Sequence, residues 1–253
     1  MNNLRKIGFS QRIQSEWLEY AANLVLSGKS KDEIKILLNE YLKDKISVGT
    51  KAKRSNRDLA VDKIINIWVK PPKNIAPLRN DSLELFKNLP KKEHLPLHWS
   101  MTIAVYPFFG FVAAAVGRLL RLQTNFTPSQ VYKRLKETLG EREAVFRAAR
   151  RILRVFVDWE VLKDTYKKGV YEPASVKIIS NSNLAVLMVE ATLFSIDKNS
   201  ESLNSIIRWP GHFPFNLNVK NLVGKIEFSE RLEVHKLGLI EDVVSLKKER
   251  SRP

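Results

Sequence analysis

Arg147, Arg150, Arg151 and Arg154 recur three or four residues apart within EREAVFRAARRILRVFVDWEVL. On a helix that spacing gathers the four guanidinium groups along one side. A guanidinium stays charged at every physiological pH and presents five N–H donors in a fixed fork. Such a row suits a repeating anion, phosphate above all, and cannot serve as a general acid or base. Arg142 stands just before the row, Lys133 lies upstream of it, and Lys167 and Lys168 follow it. Earlier in the chain, VGTKAKRSNR at 48–57 adds Lys51, Lys53, Arg54 and Arg57 with no acid among them. Small polar neighbours make this a loop suited to phosphate contacts, or equally a solvated linker. The arginine row also has a plainer reading, a solvated or intersubunit face whose charge Glu141 and Glu143 partly cancel.

Reaction chemistry finds no comparable constellation. Gly28-Lys29-Ser30 resembles the end of a phosphate-binding loop, but Asn23 stands where its first glycine belongs. The sequence holds neither G-x-G-x-x-G nor G-x-S-x-G. His94 and His98 are four apart, a spacing that could serve a metal, but Pro96 lies between them; packing or surface histidines are the simpler reading. Asp32-Glu33-Ile34-Lys35 contains the E-x-K of metal-dependent nucleases, yet it opens a helix rather than lying on a strand. The absence of cysteine excludes disulfides, thiolate zinc sites and a cysteine nucleophile. No catalytic residue, metal ligand or cofactor is expected, and the reading is of a protein that is not an enzyme.

The row needs an element to hold it. Opposite the arginines, Val145, Ala149, Ile152, Phe156 and Trp159 fall at helical spacing and make an apolar stripe. Before this helix, Thr127-Pro128 with Gln130 three residues after the threonine marks a helix start, and Gly140 a stop. After it, Val161 to Thr165 reads as a short strand, Lys167-Lys168-Gly169 as a turn and Val170 to Ile179 as a returning strand. Pro173 restricts that strand to an edge or a late start.

Helix, turn, arginine-bearing helix and basic hairpin, in this order, resemble the winged helix-turn-helix superfamily. The likeness spans about residues 108–180. Asp158-Trp159-Glu160 departs from it, because such domains often carry a glycine where the long helix gives way to the wing. The resemblance implies that the second helix enters the major groove and that the wing touches the backbone or minor groove. It then implies that Arg142, Arg147, Arg150 and Arg151 face DNA, with Lys167 and Lys168 at the wing tip. The chain as a whole also resembles, in general character and through no motif, the BrxA-type helical accessory proteins of bacterial phage-defence (BREX) systems.

Lys and Arg exceed Asp and Glu by 43 − 27 = 16 over 253 residues. That excess favours polyanionic partners. Met101 to Gly117 is uncharged, but it is short for a span and contains Pro107, so a buried helix with small packing residues is expected and no membrane contact. The N-terminus lacks the apolar stretch of a secretory signal, which predicts a cytoplasmic location.

The remaining elements are mainly helical. Helices are expected after Ser10, from Ser30 to about Lys45, at 56–70, 81–88, 181–197 and 202–209, and strands at 232–235 and 243–246. The five tryptophans sit in helical stripes and read as core. The fold class is mainly α with small β. A helical N-terminal domain covers 1–98, a winged helix-turn-helix domain 99–180, and an α+β region with a basic tail 181–253. The expected function is non-catalytic binding of double-stranded DNA, as the DNA-engaging subunit of a larger bacterial assembly or as a transcriptional regulator. Other subunits of a multi-protein system are expected partners, and a homodimer would double the footprint. The alternative is an RNA-binding protein or an interaction scaffold that uses its basic faces.

Overall fold

The computed structural model describes residues 7–9, 11–46, 55–238 and 241–247. The chain is mainly helical with small sheets. α1 (Ser15–Leu26) and α2 (Lys31–Tyr41) form the expected antiparallel start. Ser30 caps α2: its hydroxyl accepts the Glu33 amide, and Glu33 accepts the Ser30 amide at 2.8 Å. α3 (Asn56–Ile64) runs on as one π-helical stretch, Ile65–Val69. α4 (Ala76–Asn88) begins five residues before the expected Asp81, because Pro77 fits its first turn, where no amide is needed.

α5 (Leu95–Val105) and α6 (Pro107–Leu120) occupy the centre. The uncharged run is therefore two helices rather than one, bent by 116° where Tyr106 leads into Pro107. Among the described residues, no single helix is long and apolar enough to cross a membrane. α5 is buried from Pro96 to Ala104 and packs along α9 (Ser182–Ser195), itself buried nearly all round. The expected boundary at 98/99 falls inside α5, and one continuous set of buried side chains runs from Phe9 to Val244.

α7 (Pro128–Leu139) and α8 (Glu143–Asp158) follow, then β1 (Leu162–Asp164) and β2 (Tyr171–Pro173) as an antiparallel hairpin. The expected returning strand from Val170 to Ile179 is two strands. Pro173 ends β2, and β3 (Lys177–Ile179) leaves to pair in parallel with β5 (Phe215–Leu217). β4 (Ser200–Ser202), which the sequence did not announce, precedes a short α10 (Leu203–Ile207). α11 (Leu222–Glu227) leads to β6 (Leu232–Leu237) and β7 (Glu241–Leu246), which join β4 in the order β4–β7–β6.

Trp99 of α5 anchors the arginine helix. Its ring stacks on Phe156 of α8 at 5.2 Å and meets Phe109, Phe213, Phe215 and Trp159 edge-on. The Trp159 indole N–H donates to the Ile13 carbonyl at 2.9 Å. Each aromatic pair adds about 0.5–1.5 kcal/mol beyond the area it buries. The apolar side of α8 is thus held from several directions, which leaves its other side to solvent.

Gly117 lets α6 approach the Pro210 corner. A Cβ there would stand 1.9 Å from the Pro210 carbonyl oxygen, a backbone atom that cannot swing aside. Gly117→Ala is expected to cost about 2–3 kcal/mol and to lower Tm by roughly 4–12 °C. A thermal melt of the variant checks this, and an unchanged midpoint would show that the corner yields freely.

Candidate nucleic-acid interface

Gly140, at φ 76°, closes α7 with its amide on the Lys136 carbonyl and turns the chain toward α8. At the start of α7, Gln130 reaches back to accept the Thr127 amide at 2.8 Å. α8 then buries Val145, Ala148, Ala149, Ile152, Leu153, Val155 and Phe156. This stripe is broader than the one read from sequence, because Ala148, Leu153 and Val155 join it. The same helix exposes Arg147, Arg150 and Arg151, with Arg142 exposed at its N-cap. Lys133 is exposed on α7.

The cations differ in what already holds them. Arg154 is only partly exposed and grips both oxygens of Asp164 at 3.0 and 2.9 Å. That bond, ahead of a second to Tyr171, raises its pKa. Arg154 therefore fastens β1 to α8, a positioning task not evident in the sequence. Arg147 is 3.9 Å from Glu143, a loose pair between exposed groups that contributes little. Glu141 pairs with Lys136 instead of with the arginine row. Arg150 lies beside the Tyr132 hydroxyl, which raises its pKa more than the charge of Glu143 does. At the far end of α8, Arg12 holds Asp158 and its pKa rises in consequence.

The hairpin beside α8 is firmly tied. Phe126, between α6 and α7, exchanges two 2.9 Å backbone hydrogen bonds with Tyr171 of β2. Three short extended segments thus lie side by side, in the order Phe126, β2, β1. At the tip, the Thr165 amide donates to the Val170 carbonyl and the Val170 amide to the Lys167 carbonyl. The Thr165 hydroxyl closes the turn on Lys167. Gly169 adopts φ 77° there, open to glycine at no steric cost. The turn presents Lys167 and Lys168 to solvent together with Tyr166, whose side chain is wholly exposed. Sequence reasoning passed over Tyr166, although an aromatic next to two lysines in a turn was a readable signal. Glu160, just after α8, takes φ 55°, a left-handed conformation that glycine adopts more readily.

Lys51, Lys53 and Arg54 lie outside the described residues. Arg57 is half-buried in the first turn of α3, which packs on α1, α2 and its own continuation.

His94 and His98 are buried partners of one carboxylate and not surface residues. Nδ1 of His94 faces Glu19 at 3.0 Å and its Nε2 faces the Leu89 carbonyl at 2.9 Å. The Trp68 indole donates to Nδ1 of His98, so the proton of His98 sits on Nε2, 3.1 Å from Glu19. Burial pushes the His98 pKa down against the pull of Glu19. Burial works to raise the Glu19 pKa, but the two histidine hydrogen bonds outweigh it and lower the value. The network joins α1 to α5 and to the π-helical continuation of α3 as a structural tie. Among the described residues no group of three or more His, Cys, Asp or Glu could hold a metal.

A cleft of about 440 Å³ opens between α4, α9 and α11. Its floor is the ion network of Glu190, Arg231 and Asp81. Arg231 answers both Glu190 and Asp81 there. No family model, curated protein or solved structure matches this chain.

Proposed function

We propose that this protein binds duplex DNA without catalysing a reaction on it, as the DNA-engaging subunit of a larger bacterial assembly. The observation that carries the proposal is the arginine side of α8. Arg142, Arg147, Arg150 and Arg151 are exposed on a helix whose other side is fixed in the core, and Arg154 pins a lysine-tipped hairpin beside it. Guanidinium and ammonium groups on one rigid surface match a duplex backbone, where phosphate contacts set position and affinity. The order α6, Phe126, α7, α8, β1, basic tip, β2 supports the winged helix-turn-helix reading, with α8 in the major groove and the tip on the flanking backbone. The helical regions on either side favour an assembly subunit over a small transcriptional regulator. A role in phage defence rests on the general likeness alone, and a cytoplasmic location follows from the DNA partner.

Fluorescence anisotropy with a labelled duplex tests the reading. Five or so phosphate contacts predict affinity falling with salt at a log–log slope of roughly −4 to −5. Binding that is absent at low salt, or indifferent to salt, would refute it. A regulator would favour one site strongly, whereas a subunit would bind most duplexes alike. In competition, an RNA hairpin that displaces the duplex more readily than DNA does would move the assignment to RNA.

A further inference from the structure

A second concentration of positive charge lies away from the α8 row. Arg118 is on the last turn of α6, Arg121 ends that helix, and Arg134 is on α7, which packs against α6. Arg118 lies within reach of both other charges. Partial burial, and then the charges of Arg134 and Arg121, lower the Arg118 pKa. No described carboxylate pairs with Arg118 or Arg134. Arg121 donates to the Arg208 carbonyl, which bridges α6 to α10. Around α8, by contrast, Glu141, Glu143 and Asp164 each meet a cation. Crowding like charges that no described carboxylate answers works against folding.

The two cationic surfaces face different ways. Successive residues of a helix are turned by about 100°. Tyr132 of α7 points at α8, where its ring meets Phe146, and Lys136 pairs with Glu141 on the same side. Arg134 is two residues from each, roughly 200° round the helix from both. It therefore lies on the far flank, toward the end of α6. α7 stands between the surfaces with a width of about 10–12 Å. Lys133, exposed on the outer crest of α7, lies between them.

We propose that Arg118, Arg121 and Arg134 form a second phosphate-backbone site on the far flank of α7, so that one copy of the chain holds two segments of nucleic acid. The proposal rests on the reading of α8 as the first duplex-binding surface. Three guanidiniums supply forked donors to phosphate oxygens, and a linear polyanion is the partner that such a group of cations fits. A duplex seated on α8 would leave this flank open to a second segment.

Two measurements test it, with Arg118→Gln/Arg134→Gln against Arg147→Gln/Arg151→Gln. Arg121 is spared because its bond to Arg208 helps to hold α10. The first is calorimetric titration with inorganic tripolyphosphate, which is too short to span both flanks. The wild type is expected to show two sites, and each variant to lose a different one. The second is capture of a free labelled duplex by protein already bound to an immobilised duplex. Arg118→Gln/Arg134→Gln is expected to keep affinity for a single duplex within about threefold and to lose capture of the second at least tenfold. One tripolyphosphate site in the wild type, or a variant that still shows both, overturns the second site. Loss of that site with capture unchanged overturns the two-segment role, as does an acidic peptide that outcompetes tripolyphosphate there. If duplex binding fails while the Arg118 site persists, the α8 reading has failed and the far-flank phosphate site stands by itself.

Discussion

Arg147→Glu with Arg151→Glu is expected to weaken duplex binding at least a hundredfold, about 2.7 kcal/mol, while Tm stays within about 2 °C of wild type. Each substitution removes a phosphate-seeking cation and puts a repelling charge in its place. Both residues are exposed, and the pair of Arg147 with Glu143, at 3.9 Å, is loose. The buried stripe from Val145 to Phe156 is untouched, so the helix should keep its seat. Arg154→Ala is the instructive contrast. That arginine is engaged with Asp164, and losing it should loosen the hairpin as well as remove a charge. Anisotropy at two salt concentrations with a parallel thermal melt separates the cases. A large fall in the melting temperature of the double glutamate variant would show that the guanidiniums hold the fold together, and the proposed surface would fall with it.

What could be read in the sequence was local. The α8 stripe, the Ser30 capping box, Gly140 as the stop of α7 and the turn at Gly169 each depend on residues within one or two turns of one another. Pro107 and Pro173 act further than the local restriction that their sequence shows: one splits a helix in two, the other divides a strand between two sheets. Contacts between distant segments were not legible. Nothing near Arg154 marks it as the partner of Asp164, and nothing near Glu19 says that it joins His94 to His98. A charge run shows the same face in sequence whether its members meet solvent, an acid or a polyanion. The crowding of Arg118, Arg121 and Arg134 needed the packing of α7 on α6 before it could be seen.

The clearest long-range tie joins α4 and α9 to the segment ahead of β6 and should dominate stability. Glu190 is buried within α9, where a bare carboxylate would be costly. Arg231, ahead of β6, meets it with two hydrogen bonds of 2.7 and 2.8 Å and reaches Asp81 of α4 at 2.7 Å. Burial works to lower the Arg231 pKa, but the bonds to Glu190 and Asp81 outweigh it and raise the value. Arg231→Ala leaves the Glu190 charge buried and unanswered, and is expected to cost about 3–5 kcal/mol, or roughly 6–20 °C in Tm. Glu190→Leu with Arg231→Met removes both charges and keeps comparable volume, so most of that loss should be recovered. Denaturant melts of the single and double variants check the pair. Recovery would mean that the arginine is retained to answer the carboxylate. An equally unstable double variant would mean that the joint between α4, α9 and β6 depends on the directed hydrogen bonds themselves, which no apolar pair can replace.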